Sequence, residues 1–150
     1  MNTDSASALL RPSTRADNDF FYDVVEQTMR GFIVATWGAW DDARVRAESV
    51  EFATSAGGQV IQVAGSRAGV LLLREEPDHI YVRLLCLLSA TQRRGIGSFV
   101  MRNVAERACA KGQALRLRVM SCNPAKMFYQ RLGFVVTEAT PQFVYLQYAA

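Results

Sequence analysis

The chain has 150 residues, 50% of them hydrophobic and 21% charged, which are the proportions of a soluble globular domain. Its 17 basic and 14 acidic residues leave a net charge of +3, and because the basic residues are scattered we expect no nucleic-acid partner. The apolar runs are too short to span a bilayer, and the first five residues lack the basic start and apolar stretch of a secretory signal. We therefore expect one cytoplasmic domain over residues 1–150, with no membrane attachment.

The cysteine and histidine content narrows the chemistry further. There are three cysteines, Cys86, Cys109 and Cys122, and a single histidine. An odd number of widely spaced cysteines does not form a disulfide framework, and one histidine with these spacings does not form a zinc site. We therefore expect reduced thiols and no bound metal.

The first half of the chain predicts a short strand and two helices. Residues 7–11 have the character of a short strand, and apolar residues at helical spacing follow it. A second helical segment ends at the glycine pair 57–58. The candidate N-caps are Ser13 or Thr14 for the first helix and Asp41 or Asp42 for the second.

A hairpin and a buried strand come next. Residues 59–64 and 68–74 are strand-like and are separated by Gly65-Ser66, which is a typical hairpin dipeptide. Residues 75–78 predict a turn, and residues 80–88 form a strand too apolar to face water on both sides.

The second half predicts a parallel crossover. A helix ends at Lys111-Gly112, and the apolar alternation over residues 114–120 predicts a half-buried strand. Together with the strand at 80–88, this order gives a right-handed parallel strand–helix–strand unit. Asn123-Pro124 begins a short helix, and two final strands are predicted at 134–138 and 142–148. We expect an α/β domain with a mixed sheet.

The most informative segment is the glycine loop at residues 92–98, Gln-Arg-Arg-Gly-Ile-Gly-Ser, between the buried strand and a helix. Free N–H groups at the start of a helix bind anions, phosphate above all, and Arg93 and Arg94 add positive charge. The loop is not a Rossmann fingerprint, because position 100 is valine, and it is not a Walker A loop, because the chain has no Gly-Lys pair.

Two motifs resemble a known family. Gln92-x-x-Gly95-x-Gly97 is similar to the acetyl-CoA signature of the GNAT superfamily, and residues 123–134 are similar to its Asn-x-x-Ala-x-x-x-Tyr-x-x-x-Gly-Phe segment, with one residue fewer between Asn123 and Ala125. The resemblance implies a mixed, mostly antiparallel sheet with helices on both faces and the parallel crossover at the acetyl-CoA site. It also implies transfer of an acetyl group from acetyl-CoA to a small-molecule or peptide amine by direct attack in a ternary complex, by a monomer or a homodimer.

The resemblance implies roles for individual residues. The backbone of Leu85 and Leu87 would pair with the pantetheine arm, Asn123 would donate to that arm, and Phe128 would pack along it. Tyr129 would be the general acid for the departing thiolate, since a phenol with a pKa of about 10 is protonated at neutral pH. The loop that would hold the pyrophosphate comprises Gln92, Arg93, Arg94, Gly95, Ile96, Gly97 and Ser98.

Several of these residues have structural alternatives. Asn123 before Pro124 is a complete helix N-cap without a ligand, and Tyr129 has the helical spacing of a core aromatic. Trp37 and Trp40 belong to a segment that resembles a Trp-Gly-Trp-Asp stretch of some small bacterial members. They are either core residues or the lid over the acceptor pocket.

The general base is not predicted. Many family members have glutamate six residues before the signature, where this chain has Cys86, and a cysteine in an apolar strand is usually a small buried hydrophobe. The other candidates lie in or beside a turn: Glu75, Glu76, Asp78 and His79. The absent glutamate supports an alternative function, a non-catalytic CoA-binding domain that acts through a protein partner.

Overall fold

The structure is a computed structural model that describes residues 8–148. The elements in chain order are β1 (Ala8–Pro12), a 3-10 turn (Arg15–Asp17), α1 (Asn18–Trp37), α2 (Asp42–Thr54), β2 (Gly58–Val63), β3 (Ser66–Glu75), β4 (His79–Leu87), a second 3-10 turn (Ser89–Thr91), α3 (Ile96–Ala110), β5 (Ala114–Met120), α4 (Ala125–Arg131), β6 (Val135–Ala139) and β7 (Phe143–Tyr148). Residue 7, with which the first predicted strand begins, lies outside the described residues.

The seven strands form one sheet in the order β1-β2-β3-β4-β5-β7-β6. Neighbouring strands are antiparallel except β4 and β5, which are parallel and are joined through α3. The predicted mixed, mostly antiparallel sheet with a parallel strand–helix–strand crossover is confirmed.

Helices cover both faces of this sheet, as predicted, and each face has its own core cluster. On one face α1 and α2 bury apolar side chains against β2, β3 and β4, and the cluster comprises Phe20, Phe21, Val24, Ala53, Val60, Val70 and Cys86. On the other face α3 and α4 pack over the centre of the sheet through Ile96, Val100, Met101, Val104, Ala108, Tyr129, Leu115 and Leu117. Since burial of apolar area is the main favourable term in folding, these two clusters hold the helices in place.

The hairpin between β2 and β3 turns one residue earlier than predicted. Its two turn residues are Ala64 and Gly65, with φ of 52° and 81°, because Ser66 already pairs with Val63 in the ladder. Two positive φ values are the signature of the tight turn whose twist matches that of the flanking strands.

An extra residue in β4 reverses the facing of that strand. Leu72 pairs with Leu84 and Leu73 pairs with Val82, so Arg83 is a bulge. Before the bulge, Val82 faces the α3 side of the sheet. Two residues after Leu84, Cys86 faces the α1 side. A one-residue insertion therefore presents the odd-numbered residues Leu85 and Leu87 to the α3 side.

Thr14, one of the two predicted caps, is the N-cap of the 3-10 turn that leads into α1 and forms a capping box with Asp17, the residue directly before α1. Asp17 is 3% exposed. Its carboxylate accepts two hydrogen bonds from the Arg11 guanidinium, at 2.8 and 2.9 Å, and one from the Thr14 backbone N–H at 2.9 Å. Arg67 lies 3.5 Å away. The hydrogen bonds from Arg11 lower the pKa of Asp17 to about 2.

This cluster predicts a specific loss of stability in acid. The folded-state pKa of Asp17 lies below the ordinary value of 3.8, so its stabilising effect is complete above about pH 4 and is lost as the pH falls towards 2. We expect Asp17→Asn to lower the free energy of unfolding by about 2 kcal/mol at pH 7 and to differ less from wild type near pH 2. Denaturant unfolding at both pH values measures this. The exposed Asp23→Asn is the control, and an equal deficit at pH 7 and pH 2 would contradict the assignment.

Candidate active site

The site begins where the two parallel strands separate. β4 and β5 pair over only three residues, from His79 with Ala114 to Tyr81 with Arg116. Beyond this point β5 continues its antiparallel pairing with β7, and β4 continues along β3. The cleft between β4 and β5 is therefore open from the middle of the sheet to the carboxyl ends of both strands.

The β4 side of the cleft presents backbone polar groups. The N–H of Leu88 donates to the carbonyl of Ala68 at 2.8 Å, which identifies the even-numbered residues after the bulge as those hydrogen-bonded to β3. Because an antiparallel strand alternates its hydrogen-bonding direction, Leu85 and Leu87 direct their N–H and C=O groups towards the cleft. The Leu87 carbonyl accepts a hydrogen bond from the Gln92 side-chain amide at 2.9 Å.

The glycine loop is the start of α3. Arg93 and Gly95 have φ of 62° and 78°, and Gly95 is the N-cap residue. The Phe99 N–H makes the first turn's bond to the Gly95 carbonyl at 3.0 Å. The N–H groups at 96–98 precede this bond and point out of the helix end, where the positive end of the helix dipole also lies. Outward N–H groups at a helix N-terminus favour an anion, and the role of residues 92–98 in holding the pyrophosphate stays a prediction.

Gly97 keeps the space next to this helix end open. A Cβ at position 97 would lie 3.3 Å from Phe128 Cζ and 3.6 Å from Leu87 Cδ1. The loop, β4 and α4 thus meet around a residue with no side chain. Any larger residue at this position would fill the approach to the cleft from the helix end.

α4 brings Asn123 and Tyr129 to the cleft. The Asn123 Oδ1 accepts a hydrogen bond from the Ala125 N–H at 2.9 Å, which is the predicted capping interaction. Tyr129 is 7% exposed, and its ring packs edge-on against Phe128 and Phe134 at centroid distances of 5.0 and 5.4 Å. Burial raises the pKa of Tyr129, and the nearby Cys86 thiol raises it further. The phenol is therefore a proton donor that stays neutral at ordinary pH.

Tyr129 and Asn123 border a cavity of about 520 Å³ that extends from the cleft to α1 and α2. Its lining is mostly apolar, with contributions from α1, α2, β4, β5, α4 and β7. The charged residues that line it are Asp41, Arg44, Glu48, Arg83 and Arg118. Apart from Asp41 as a helix cap, the sequence analysis missed these residues. Surface positions on α2 and a bulged residue in β4 carry no sequence signal that directs them into a shared cavity.

The two tryptophans have different surroundings in the structure. Trp37 is 57% exposed, lines the cavity, and packs against Phe143 at 6.0 Å. Trp40 does not line the cavity: its Nε1 donates to Asp42 Oδ1 at 3.2 Å, and its ring packs on Tyr22. Of the pair, only Trp37 is placed to contact a molecule in the cavity.

The four acid–base candidates near the β3–β4 turn are engaged elsewhere. Glu75 pairs with Arg107 and Lys111, and Glu76 pairs with Arg74. Asp78 Oδ1 is 2.8 Å from His79 Nδ1. None of these four side chains lines the cavity, since the turn lies at the closed end of the β4–β5 pairing.

Cys86 is buried at the cavity wall. Burial raises the pKa of its thiol, and a hydrogen bond with Thr28 opposes that shift only in part. A thiol in this state is a poor base and a poor nucleophile.

Within residues 8–148, no helix is long and apolar enough to cross a membrane. In the same part of the chain, no three His, Cys, Asp or Glu side chains come together as a metal site.

Comparison with known proteins finds solved structures that share this architecture. A search of the curated proteins finds no match. Among solved structures, PaiA N-acetyltransferase from Thermoplasma acidophilum, in complex with coenzyme A, has a TM-score of 0.76 at 14% identity, covering 96% of this chain and 99% of that one. An acetyltransferase from Thermus thermophilus has a TM-score of 0.76 at 20% identity, covering 96% and 97%. The ribosomal-protein-S18-alanine N-acetyltransferase of Escherichia coli has a TM-score of 0.69 at 15% identity, covering 95% and 93%.

The fold is thus that of these acetyltransferases. The family model described as "Acetyltransferase (GNAT) domain" matches residues 21–148. The chain belongs to the GNAT acetyltransferase family.

The burial of the three thiols predicts their reactivity. Cys109 and Cys122 are exposed and Cys86 is buried with a raised pKa, so an aromatic disulfide reagent at pH 7 should titrate two thiols rapidly and the third only after unfolding. Cys86→Ala should leave the rapid reaction of two thiols unchanged and abolish the reaction of the third thiol on unfolding. Three rapid thiols in the folded wild-type protein would show that the cavity wall is open at Cys86.

Proposed function

We propose that the protein transfers the acetyl group of acetyl-CoA to a primary amine, by direct attack in a ternary complex. The observation that carries this proposal is the meeting of the α3 helix end with Leu87 and Phe128 at Gly97, next to a cavity lined by Leu85 and Tyr129. One co-substrate can extend along the path from the helix end to the cavity while an acceptor enters from the cavity side.

The residues present fit a coenzyme A thioester. The pyrophosphate would lie on the N–H groups at 96–98 beside Arg93, where Gly97 leaves the space that a Cβ would fill. The pantetheine arm would pair with Leu85 and Leu87 as an added strand. The Asn123 side chain, with its Oδ1 held by Ala125, would present its amide N–H groups to that arm.

Tyr129 would act as the proton donor to the leaving group. The amine nitrogen forms a bond to the thioester carbonyl carbon, the carbon–sulfur bond breaks, and the electron pair leaves on sulfur. The Tyr129 hydroxyl would then donate a proton to the thiolate, for which its neutral state in the buried cleft is suited. The tight packing against Phe128 and Phe134 fixes the ring and so limits the positions that the hydroxyl can take.

An ammonium cannot attack, so its proton must first go to a base. Cys86 is unsuited because burial raises the pKa of its thiol. The cavity offers two carboxylates, Asp41 and Glu48. The Asp41 Oδ1 already accepts the Arg44 backbone N–H at 3.1 Å as the α2 cap. Glu48, on the next turn of α2, is therefore our candidate to receive the amine's proton, directly or through water; its Oε1 lies 3.3 Å from Arg44 Nε.

One observation favours a second candidate function. The β4 position at which many family members carry a glutamate is here the buried Cys86. A domain that binds coenzyme A and acts through a protein partner would need no base there. Release of free thiol from acetyl-CoA in the presence of amines distinguishes the two, because only the transferase shows amine-dependent release.

The first prediction for this site concerns Gly97. We expect Gly97→Val to weaken coenzyme A binding at least tenfold, because its side chain enters the space between the helix end, Leu87 and Phe128. Isothermal titration with coenzyme A measures this. Gly31→Val on α1 is the control, since a Cβ there meets no atom within 4 Å. An unchanged affinity in folded Gly97→Val would contradict the binding path.

The second prediction concerns Tyr129. Tyr129→Phe keeps the ring packing and removes only the hydroxyl, so folding and acetyl-CoA affinity should be unchanged. We expect kcat to fall by about 10²–10⁴, towards the lower end because a thiolate is already a fair leaving group. Tyr148→Phe, whose ring packs on Phe134 at 5.6 Å outside the cavity, should keep its kcat. If chemistry limits the rate and Tyr129→Phe turns over like wild type, Tyr129 is not the acid.

A further inference from the structure

Two arginines occupy equivalent places at the opening of the β4–β5 cleft. Arg83 and Arg118 each lie two residues beyond Tyr81 and Arg116, the last pair that joins the parallel strands. Both line the cavity. Both lie on the sheet face covered by α1 and α2, since Arg83 reaches Phe52 on α2 and Arg118 lies between Leu117 and Val119, which face the α3 side.

Each of these guanidinium groups is held against an aromatic ring. Arg118 Cζ is 3.8 Å from the centroid of Phe143, and Arg83 Cζ is 5.3 Å from the centroid of Phe52. A planar guanidinium stacked in this way keeps its N–H edges available for hydrogen bonding. The rings therefore orient two five-donor groups at the cavity wall.

Neither group pairs with a carboxylate of the described chain, although their neighbours do. Arg116, on the same face of β5, hydrogen-bonds Gln147 at 2.8 Å and lies 3.9 Å from Asp78. Arg44, which lies on α2 and also lines the cavity, pairs with Glu48 at 3.3 Å. Within residues 8–148, both guanidinium groups are thus without a carboxylate partner, and an anion bound in the cavity would supply one.

We propose that the acceptor carries a carboxylate as well as its amine, and that Arg83 and Arg118 bind this carboxylate. The inference rests on the proposed acetyl transfer to an amine. Guanidinium groups recognise carboxylates through paired N–H···O bonds. α2 carries Asp41 and Glu48, the latter beside Arg44 at 3.3 Å, so the cavity offers carboxylates to an ammonium and the guanidinium groups of Arg83 and Arg118 to a carboxylate. A free amino acid or a short peptide has this charge pattern, and a polyamine does not.

The test compares acceptors that differ only in the carboxylate. A series comprising an amino acid, a dipeptide and a tripeptide is assayed with acetyl-CoA beside the same compounds as C-terminal amides, with spermidine as a polycation. We expect at least one carboxylate member to have a KM about tenfold or more below that of its amide, which is the effect of a charged hydrogen bond. Arg83→Gln and Arg118→Gln should each raise that KM about tenfold and leave the KM of the amide within about twofold.

Controls separate this role from others. Arg116→Gln removes a charge from the same strand and face but outside the cavity, and it should leave the preference for the carboxylate unchanged. The affinity for coenzyme A should be unchanged in Arg83→Gln and Arg118→Gln. A weaker affinity would mean that these arginines bind the co-substrate, and it would overturn the proposal.

The remaining outcomes also decide. Equal KM values for every acid and its amide, or spermidine as the best acceptor, would overturn the inference while leaving acetyl transfer to amines intact. If no amine is acetylated, the proposed function fails, and calorimetric titration of the same pairs into protein saturated with coenzyme A still tests the inference. Tighter binding of the carboxylate member, lost in Arg118→Gln, would support it, and equal binding would overturn it.

Discussion

The separation of β4 from β5 is the constraint on which the rest of the site depends. Three pairs of residues hold the strands together, and then each strand keeps only its outer neighbour, β7 for β5 and β3 for β4, so that the inner edge of β4 at Leu85 and Leu87 faces the cleft. Buried backbone groups must find partners, so each strand needs an antiparallel neighbour on its far side for the cleft to remain open. The strand order β3-β4-β5-β7 supplies both neighbours.

The bulge at Arg83 determines what the cleft presents. If β4 alternated regularly through Arg83, Cys86 would face the same side of the sheet as Val82 and point towards α3. With it, Leu85 and Leu87 pack on the α3 cluster, and Cys86 is buried under α1. The same insertion leaves Arg83 outside the ladder and directed at the cavity. One residue thus links the proposed co-substrate side of the cleft to the proposed acceptor side.

Features that depend on neighbouring residues could be predicted from the sequence, whereas features that depend on contacts between distant elements could not. Alternation alone gave β5 its observed bounds at 114–120, and the glycines of residues 92–98 marked the start of α3. Asn123 was predicted as a cap because the capping bond spans two residues. Asp17, Glu48 and Arg118 were not singled out, because their partners lie on other elements or their setting is a cavity built from six elements. The roles assigned to Leu85, Asn123 and Tyr129 in binding and catalysis remain predictions.

The hydrogen bond from the Gln92 side chain to the Leu87 carbonyl, together with that from the Thr91 hydroxyl to the Leu88 carbonyl at 2.8 Å, ties the glycine loop to the end of β4. The loop and the strand edge are consequently one rigid surface before any ligand arrives. Ordering flexible segments on binding consumes affinity, and a preformed surface avoids that loss. The entropic cost of association then falls on an extended ligand, whose length must match a fixed distance between a helix end and a strand edge.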